Sequence, residues 1–321
     1  LPICLGDEVK EQYWRHQSLL PDEGPVDDLM FAIDQFRSVG RDIEVLGWVH
    51  SRRKDVPSSL LLDLLATASS QVNDAFNRQG NMLSYYIGQT LSELRTRSDV
   101  DKLQIARLEY AYLPLLRFEQ EPLAIYDLLA TDPELFVDVL SHVFRSKNVP
   151  ADQVITDEMK RQAHTSYDLL SEFKCVPGLH AGKVNAQELF DWVMKVKALA
   201  AAKGLSDIGE QRIGFVLAHA PQDADEPFWP PSAVCQAIEA AASEQIERGF
   251  AIECFNKRGV YSKDLNEGGD QERKLAICYK AWADATVKYP RTSAMLIAIS
   301  EDWAQHAERE DVEAEKSKMK R

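Results

Sequence analysis

A chain of 321 residues with 45% hydrophobic and 27% charged side chains carries ample apolar material for a core and stands far from the composition of a disordered chain. Its 37 basic and 51 acidic residues leave a formal charge of -14. That field repels phosphate backbones and anionic membrane surfaces, so nucleic acid is an unfavourable partner, even with a local basic group at Arg52, Arg53 and Lys54.

Apolar residues recur at helical spacing along most of the chain and period-two alternation is scarce, so the predicted fold is all-α. Gly24 and Pro25 introduce a first helix carrying Leu29, Ile33 and Phe36, and Pro57 introduces the leucine-rich stretch from Leu60. That stretch, "SLLLDLLA", is the longest apolar run and Asp63 interrupts it, so no membrane span is expected. Leu103 to Leu116 reads as a further helix that Pro114 kinks or ends. Leu135, Phe136, Val139, Leu140, Val143 and Phe144 form one continuous stripe, with Asp132 as N-cap and Pro133 as first helical residue.

Asn185 with Glu188 has capping-box spacing ahead of Leu189, Trp192, Val193, Val196 and Leu199, and Gly204 ends that helix. Asp207 and Glu210 repeat the device before Ile213 and Leu217. Ser232, after two prolines, opens a predicted long helix through Val234, Ile238, Ala242 and Ile246. Helix following helix predicts stacked helical hairpins or an irregular helical array, with no strict internal period.

Three polar links separate these elements: "RSKNVPADQVITD" (145–157), "CVPGLHAGKVN" (175–185) and "APQDADEPFWPP" (220–231). The first combines proline, charge and no apolar periodicity, which places a boundary near residue 150. Two helical subdomains are therefore expected, 1–150 and 151–321, the second holding a long charged interhelical loop at 256–274.

"LEYAYLPLL" from Leu108, "DPELFVDVLSHVFR" from Asp132, and "NKRGVY" and "EGGDQERKLA" in that loop together resemble segments from the C-terminal helical region of large, mostly uncharacterised bacterial proteins. The resemblance spans about Leu103 to Asp311 and carries no catalytic signature. It implies a helical arm of a larger bacterial protein, and a setting in defence against phage.

Catalytic patterns are sparse. "GLHAGKVN" fails as a phosphate-binding loop, because the glycine spacing is one short and Val184 follows Lys183 where a hydroxyl is required. The seven histidines contain no H-x-x-x-H pair, and His142, beside the apolar stripe, reads as a partly buried packing residue. Five scattered cysteines without C-x-x-C spacing argue against a disulfide framework or a zinc site and suit a reducing, cytosolic setting. Cys254 has Lys257 and Arg258 nearby, yet it falls at helical spacing with Phe250 and is expected to face the core. No cofactor or metal is expected. The opening "LPICLG" has neither methionine nor a basic stretch before a long apolar run, and reads as the start of an excised C-terminal fragment.

Two surfaces remain as candidate interaction sites. Phe228 and Trp229, on a proline-rich loop, either plug a gap between helices, the favoured reading, or anchor an interface. In the 256–274 loop, Gly259 can close the preceding helix and Asp270 can cap the next. Its five positive and four negative charges, among them Lys257, Arg258, Lys263, Glu267 and Arg273, suit an internal brace better than a phosphate site, a partner contact being the alternative. The expected function is a non-catalytic scaffold or sensor arm making protein–protein or intramolecular contacts. The competing class is an enzyme or ligand-binding domain assembled from dispersed residues around the same loop.

Overall fold

A computed structural model describes residues 7–17, 24–69, 81–116, 123–148, 154–259, 262–264 and 267–319. Among them are fifteen α-helices, one 3-10 helix and a single two-stranded hairpin, so the chain is all-α as its periodicity predicts. It divides into two compact units, 1–128 and 129–321. The division lies ahead of the expected position near 150, part of which falls outside the described residues, because the helix Pro133–Val143 packs on helices that follow it.

The first unit holds α1 (Asp7–His16), α2 (Val26–Ser38), α3 (Asp42–Trp48), the 3-10 helix Val49–Asp55, α4 (Ser58–Ser69), α5 (Asn81–Arg95) and α6 (Lys102–Leu116). Leu29, Ile33 and Phe36 of α2 and Leu61, Leu64 and Leu65 of α4 are fully buried, the spacing of one helical face. Tyr112 on α6 is sealed in the same core and donates to the Leu65 carbonyl at 2.6 Å. Pro114 is carried inside α6, so the helix neither stops there nor starts afresh. Glu109, one turn earlier, is completely buried and accepts the Ile125 N–H at 2.8 Å. Burial pushes its carboxyl up, against the pull of that backbone bond and of Arg95.

Both arginines of the basic group in this unit are engaged internally. Arg52 binds Asp55 and the Gly24 carbonyl, and Arg53 donates to the His50 carbonyl at 2.7 Å. A cavity of about 780 Å³ beside Lys54 is walled by Arg97, whose guanidinium is committed to the Val56 and Arg53 carbonyls, each at 2.8 Å. That arginine holds a loop in place.

The helix α7 (Ala124–Thr131) carries the point of division. In the second unit α8 (Pro133–Val143) begins as expected, Asp132 accepting from Glu134 N and Leu135 N at 2.9 and 3.2 Å. Its buried face is Phe136, Val137, Val139 and Leu140, against α9 (Asp157–Glu172) and α10 (Ala186–Ala202). The link 175–185 folds into a hairpin of β1 (Leu179–His180) and β2 (Lys183–Val184), with Leu179 paired to Val184. Asn185 caps α10 through Gln187 N and Glu188 N, but the capping box stays open. Glu188 turns to His180, 2.7 Å away, while the Asn185 N–H is taken by the Gly178 carbonyl at 2.8 Å.

Gly204 ends α10 at φ +68°, and α11 (Ser206–Leu217) follows with no side-chain cap, Asp207 sitting inside its first turn. The predicted long helix from Ser232 is two: α12 (Ser232–Ala241) stops where Ala242 adopts φ +45°, and Ser243 caps α13 (Glu244–Asn256). Last come α14 (Asp270–Ala285) and α15 (Pro290–Met319), packed on each other.

The tightest packing joins α11 to α13. A Cβ built on Gly214 would stand 2.1 Å from the Ile246 carbonyl oxygen, and one on Gly249 would stand 2.0 Å from that of Gln211. The two backbones touch at both glycines, which no larger residue permits without spreading the helices.

Candidate functional site

The charged loop between α13 and α14 is paired within the chain. Glu272, with 1% of its side chain exposed, accepts from Arg258 at 2.5 Å and Lys263 at 2.8 Å, and Lys263 reaches on to Glu310 of α15 at 2.9 Å. Burial alone would raise the Glu272 carboxyl; the bonds from Lys263 and Arg258 outweigh it and hold the group below its ordinary value. Arg273 bridges Asp270 at 2.7 Å and Asp311 at 2.6 Å. Asp311 also accepts the Gly269 N–H, and with the guanidinium as the larger influence its carboxyl is lowered to about 2. Glu267 closes a local turn by accepting the Asp264 N–H at 3.1 Å. Gly259 ends α13 at φ +60° as expected, whereas the N-cap of α14 is Gly269, leaving Asp270 in the first turn. Residues 260–261 and 265–266 of this loop lie outside the described residues.

The two sequence-derived surfaces meet at Lys257. Its ammonium lies 5.0 Å from the Trp229 ring centroid and donates to the Ala218 carbonyl at 2.6 Å. Phe228 and Trp229 are buried; the Trp229 indole donates to the Ala220 carbonyl at 2.8 Å and packs on Phe250 and Trp282. Cys254 faces this core, where burial pushes its thiol up to about 12. Such a thiol carries negligible thiolate at neutral pH and is a poor nucleophile.

A third feature emerges only in three dimensions. A groove of about 840 Å³ opens between the end of α8, the face of α9 and the turn into α11. Its apolar lining includes Val143, Phe144, Ile155, Met159 and Leu205, with Ile155 58% and Met159 37% exposed. Arg145, Lys160, Lys203, His142 and His164 line it too, and among the described residues no carboxylate does. Several of these have partners outside the groove: Lys160 binds Asp157 at 2.9 Å, Lys203 binds Asp138, and the His164 imidazole lies 3.7 Å from Asp168. These pairs are solvent-exposed and individually weak, so an incoming acidic group can exchange with them at small cost.

His142, expected to be a packing residue, instead stands exposed on this rim, its ring nitrogens 3.1 Å from Gln162 Nε2 and 3.4 Å from Ser166 Oγ. Crowding by the protein lowers its pKa, and Lys203 works in the same direction. The groove escaped the sequence reading because its residues come from three segments, one of them the polar link 145–157. Lys160 and His164, four apart on α9, were the local signal of a basic face.

Among the described residues no group of three or more His, Cys, Asp or Glu side chains is placed to hold a metal ion, and no helix is long and apolar enough to cross a membrane. The chain matched no family model, no curated protein and no solved structure with which it was compared.

Proposed function

We propose that this chain is a non-catalytic helical scaffold or sensor arm that binds another protein, and that the groove between α8, α9 and α11 receives an acidic, amphipathic segment of that partner. The observation that carries the reading is the groove's composition: exposed apolar side chains under a rim that includes Arg145, Lys160 and Lys203, with no carboxylate among the described lining residues, on a chain of net charge -14. An acidic segment is complementary to this groove and is repelled by the rest of the molecule, which confers specificity of position. The charged loop at 256–274 serves the same scaffold as a brace, since Lys257, Arg258, Lys263 and Arg273 are directed at carboxylates and carbonyls of the chain itself. The resemblance to helical regions of large bacterial proteins supports assigning the scaffold to such a protein, and to defence against phage.

The test uses two labelled peptides of equal apolar content, one acidic and one basic, titrated by fluorescence anisotropy. The acidic peptide is expected to bind, and Ile155→Asp with Met159→Asp to weaken it by tenfold or more, ~1.4 kcal/mol, at unchanged thermal stability because both side chains are exposed. Equal binding of the two peptides, or binding indifferent to the substitutions, refutes the proposal.

A further inference from the structure

Three arginines of the second unit are neither fully exposed nor fully buried: Arg212, Arg258 and Arg291. Arg258 is paired with Glu272 at 2.5 Å and Arg291 with Glu247 at 2.7 Å. Among the described residues Arg212 makes no hydrogen bond or ion pair; its guanidinium carbon lies 5.4 Å from the ring centroid of Phe144 and 5.0 Å from that of Phe215. Desolvation by these surroundings lowers its pKa, and the Tyr167 and Glu253 fields oppose that only in part. The carboxylate whose field acts on it does not serve it, for Glu253 is occupied by His219 at 2.8 Å and by Asn256 at 3.0 Å.

A guanidinium stripped of part of its hydration and given no acceptor is an uncompensated charge, an arrangement that costs stability unless something completes it. Stacking on aromatic rings recovers part of that cost and fixes the plane of the fork, while leaving its five N–H donors unused. A rigid, planar, desolvated fork is matched by a carboxylate, which accepts two parallel bonds. The neighbouring Glu253 and the overall charge of -14 penalise each further negative charge on a ligand, favouring a carboxylate over a phosphate dianion.

We infer that Arg212, stacked over Phe144 and Phe215 beside Tyr167, is the anchor of a binding site for a single carboxylate group. The guanidinium donates two hydrogen bonds to the carboxylate oxygens. Phe144 also lines the groove described above, so an acidic side chain of a segment lying there can reach the site, but the site exists whether or not the groove takes a protein.

The experiment is a titration of the full chain, isotopically labelled, with acetate, and separately with phosphate, at constant ionic strength, following the Arg212 Nε–Hε resonance by nuclear magnetic resonance. A saturable shift with acetate is expected, tighter than with phosphate. It should vanish at the same site in Arg212→Gln, judged by backbone resonances of Phe144 and Phe215. Arg212→Lys keeps the charge but loses the fork, and is expected to bind acetate about tenfold more weakly; it carries the test alone should Arg212→Gln not fold. A shift that never saturates, or that persists unchanged in the variants, overturns the site. Tighter binding of phosphate overturns the ligand class. Both outcomes are independent of the peptide titration, so failure here and failure of the groove are told apart.

Discussion

Replacing Glu272 by alanine removes the acceptor on which the long loop converges. Its 1% exposure comes from the covering Arg258 and Lys263 side chains, themselves 13% and 14% exposed, in a cluster close to the surface. Removing one partner from a well-buried ion pair costs about 3–5 kcal/mol, because the remaining charge is stranded. Here both cations retain some access to water and Lys263 keeps Glu310 at 2.9 Å, so the expected loss is about 2–3 kcal/mol, below that range. Urea unfolding of the second unit, read by hydrogen exchange in peptides covering α13 and α14, measures it. Asp311→Ala is the control, since the Arg273–Asp311 pair is open to solvent at 46% and 40%. It should cost less, and its effect should fade in about 1 M salt while that of Glu272→Ala persists, covered pairs being screened least. A Glu272→Ala loss no larger than that of Asp311→Ala, or equally erased by salt, would refute the view that this cluster pins the loop.

Other expectations follow from the same contacts. Asp311 sits at about 2 in the folded chain against an ordinary 3.8, so its contribution is complete above about pH 4 and is lost as pH falls through about 2; the gap in urea midpoint between the parent chain and Asp311→Asn should close over that window. Gly214→Ala and Gly249→Ala each force a methyl into a backbone carbonyl across the α11–α13 contact, and each should lower stability by about 1–3 kcal/mol in denaturant titrations. Cys235 and Cys254, both pushed up to about 12 by burial, should resist iodoacetamide at neutral pH until urea unfolds the second unit, as mass spectrometry of the peptides would show.

Helix starts marked by a side-chain cap or by proline were legible in the sequence, because the signal and its effect lie within four residues: Asp132 before α8, Asn185 before α10, Pro25 before α2. Breaks made by backbone alone were not. Ala242 at φ +45° separates α12 from α13 without a glycine or proline to announce it, and the apolar rhythm of Ile238 and Ile246 runs straight across. Asp207 and Glu210 had the spacing of a cap, yet Leu205 takes the N-cap position and Glu210 accepts from Ser243 instead. The brace residues could be named in advance, but Glu310 and Asp311, which complete their pairing, come from the far end of the chain. The groove and Arg212 depend on segments brought together only by packing. Nothing local distinguishes Arg212 from any other basic residue on an amphipathic helix.

On the proposed function, electrostatics in the second unit serves two purposes that a single residue cannot meet at once. A loop as long as 256–274 loses much conformational entropy on ordering, and its charges oppose that loss only when each finds its partner inside the chain. Arg258 and Lys263 do so through Glu272, and Arg273 through Asp311. Satisfied in this way, they have little to offer a ligand, because recruiting them would uncover Glu272 and Asp311. Recognition requires groups whose pairing is incomplete or cheaply exchanged. The rim of the groove has the second property, with exposed pairs such as Lys160–Asp157, and Arg212 has the first. Both lie in the packing of α8, α9 and α11, away from the cluster that closes the loop on α15. Binding at the groove, as proposed, therefore leaves the brace intact. The stability of the loop and the affinity of the groove should accordingly vary independently, with Glu272→Ala changing the first and Met159→Asp the second.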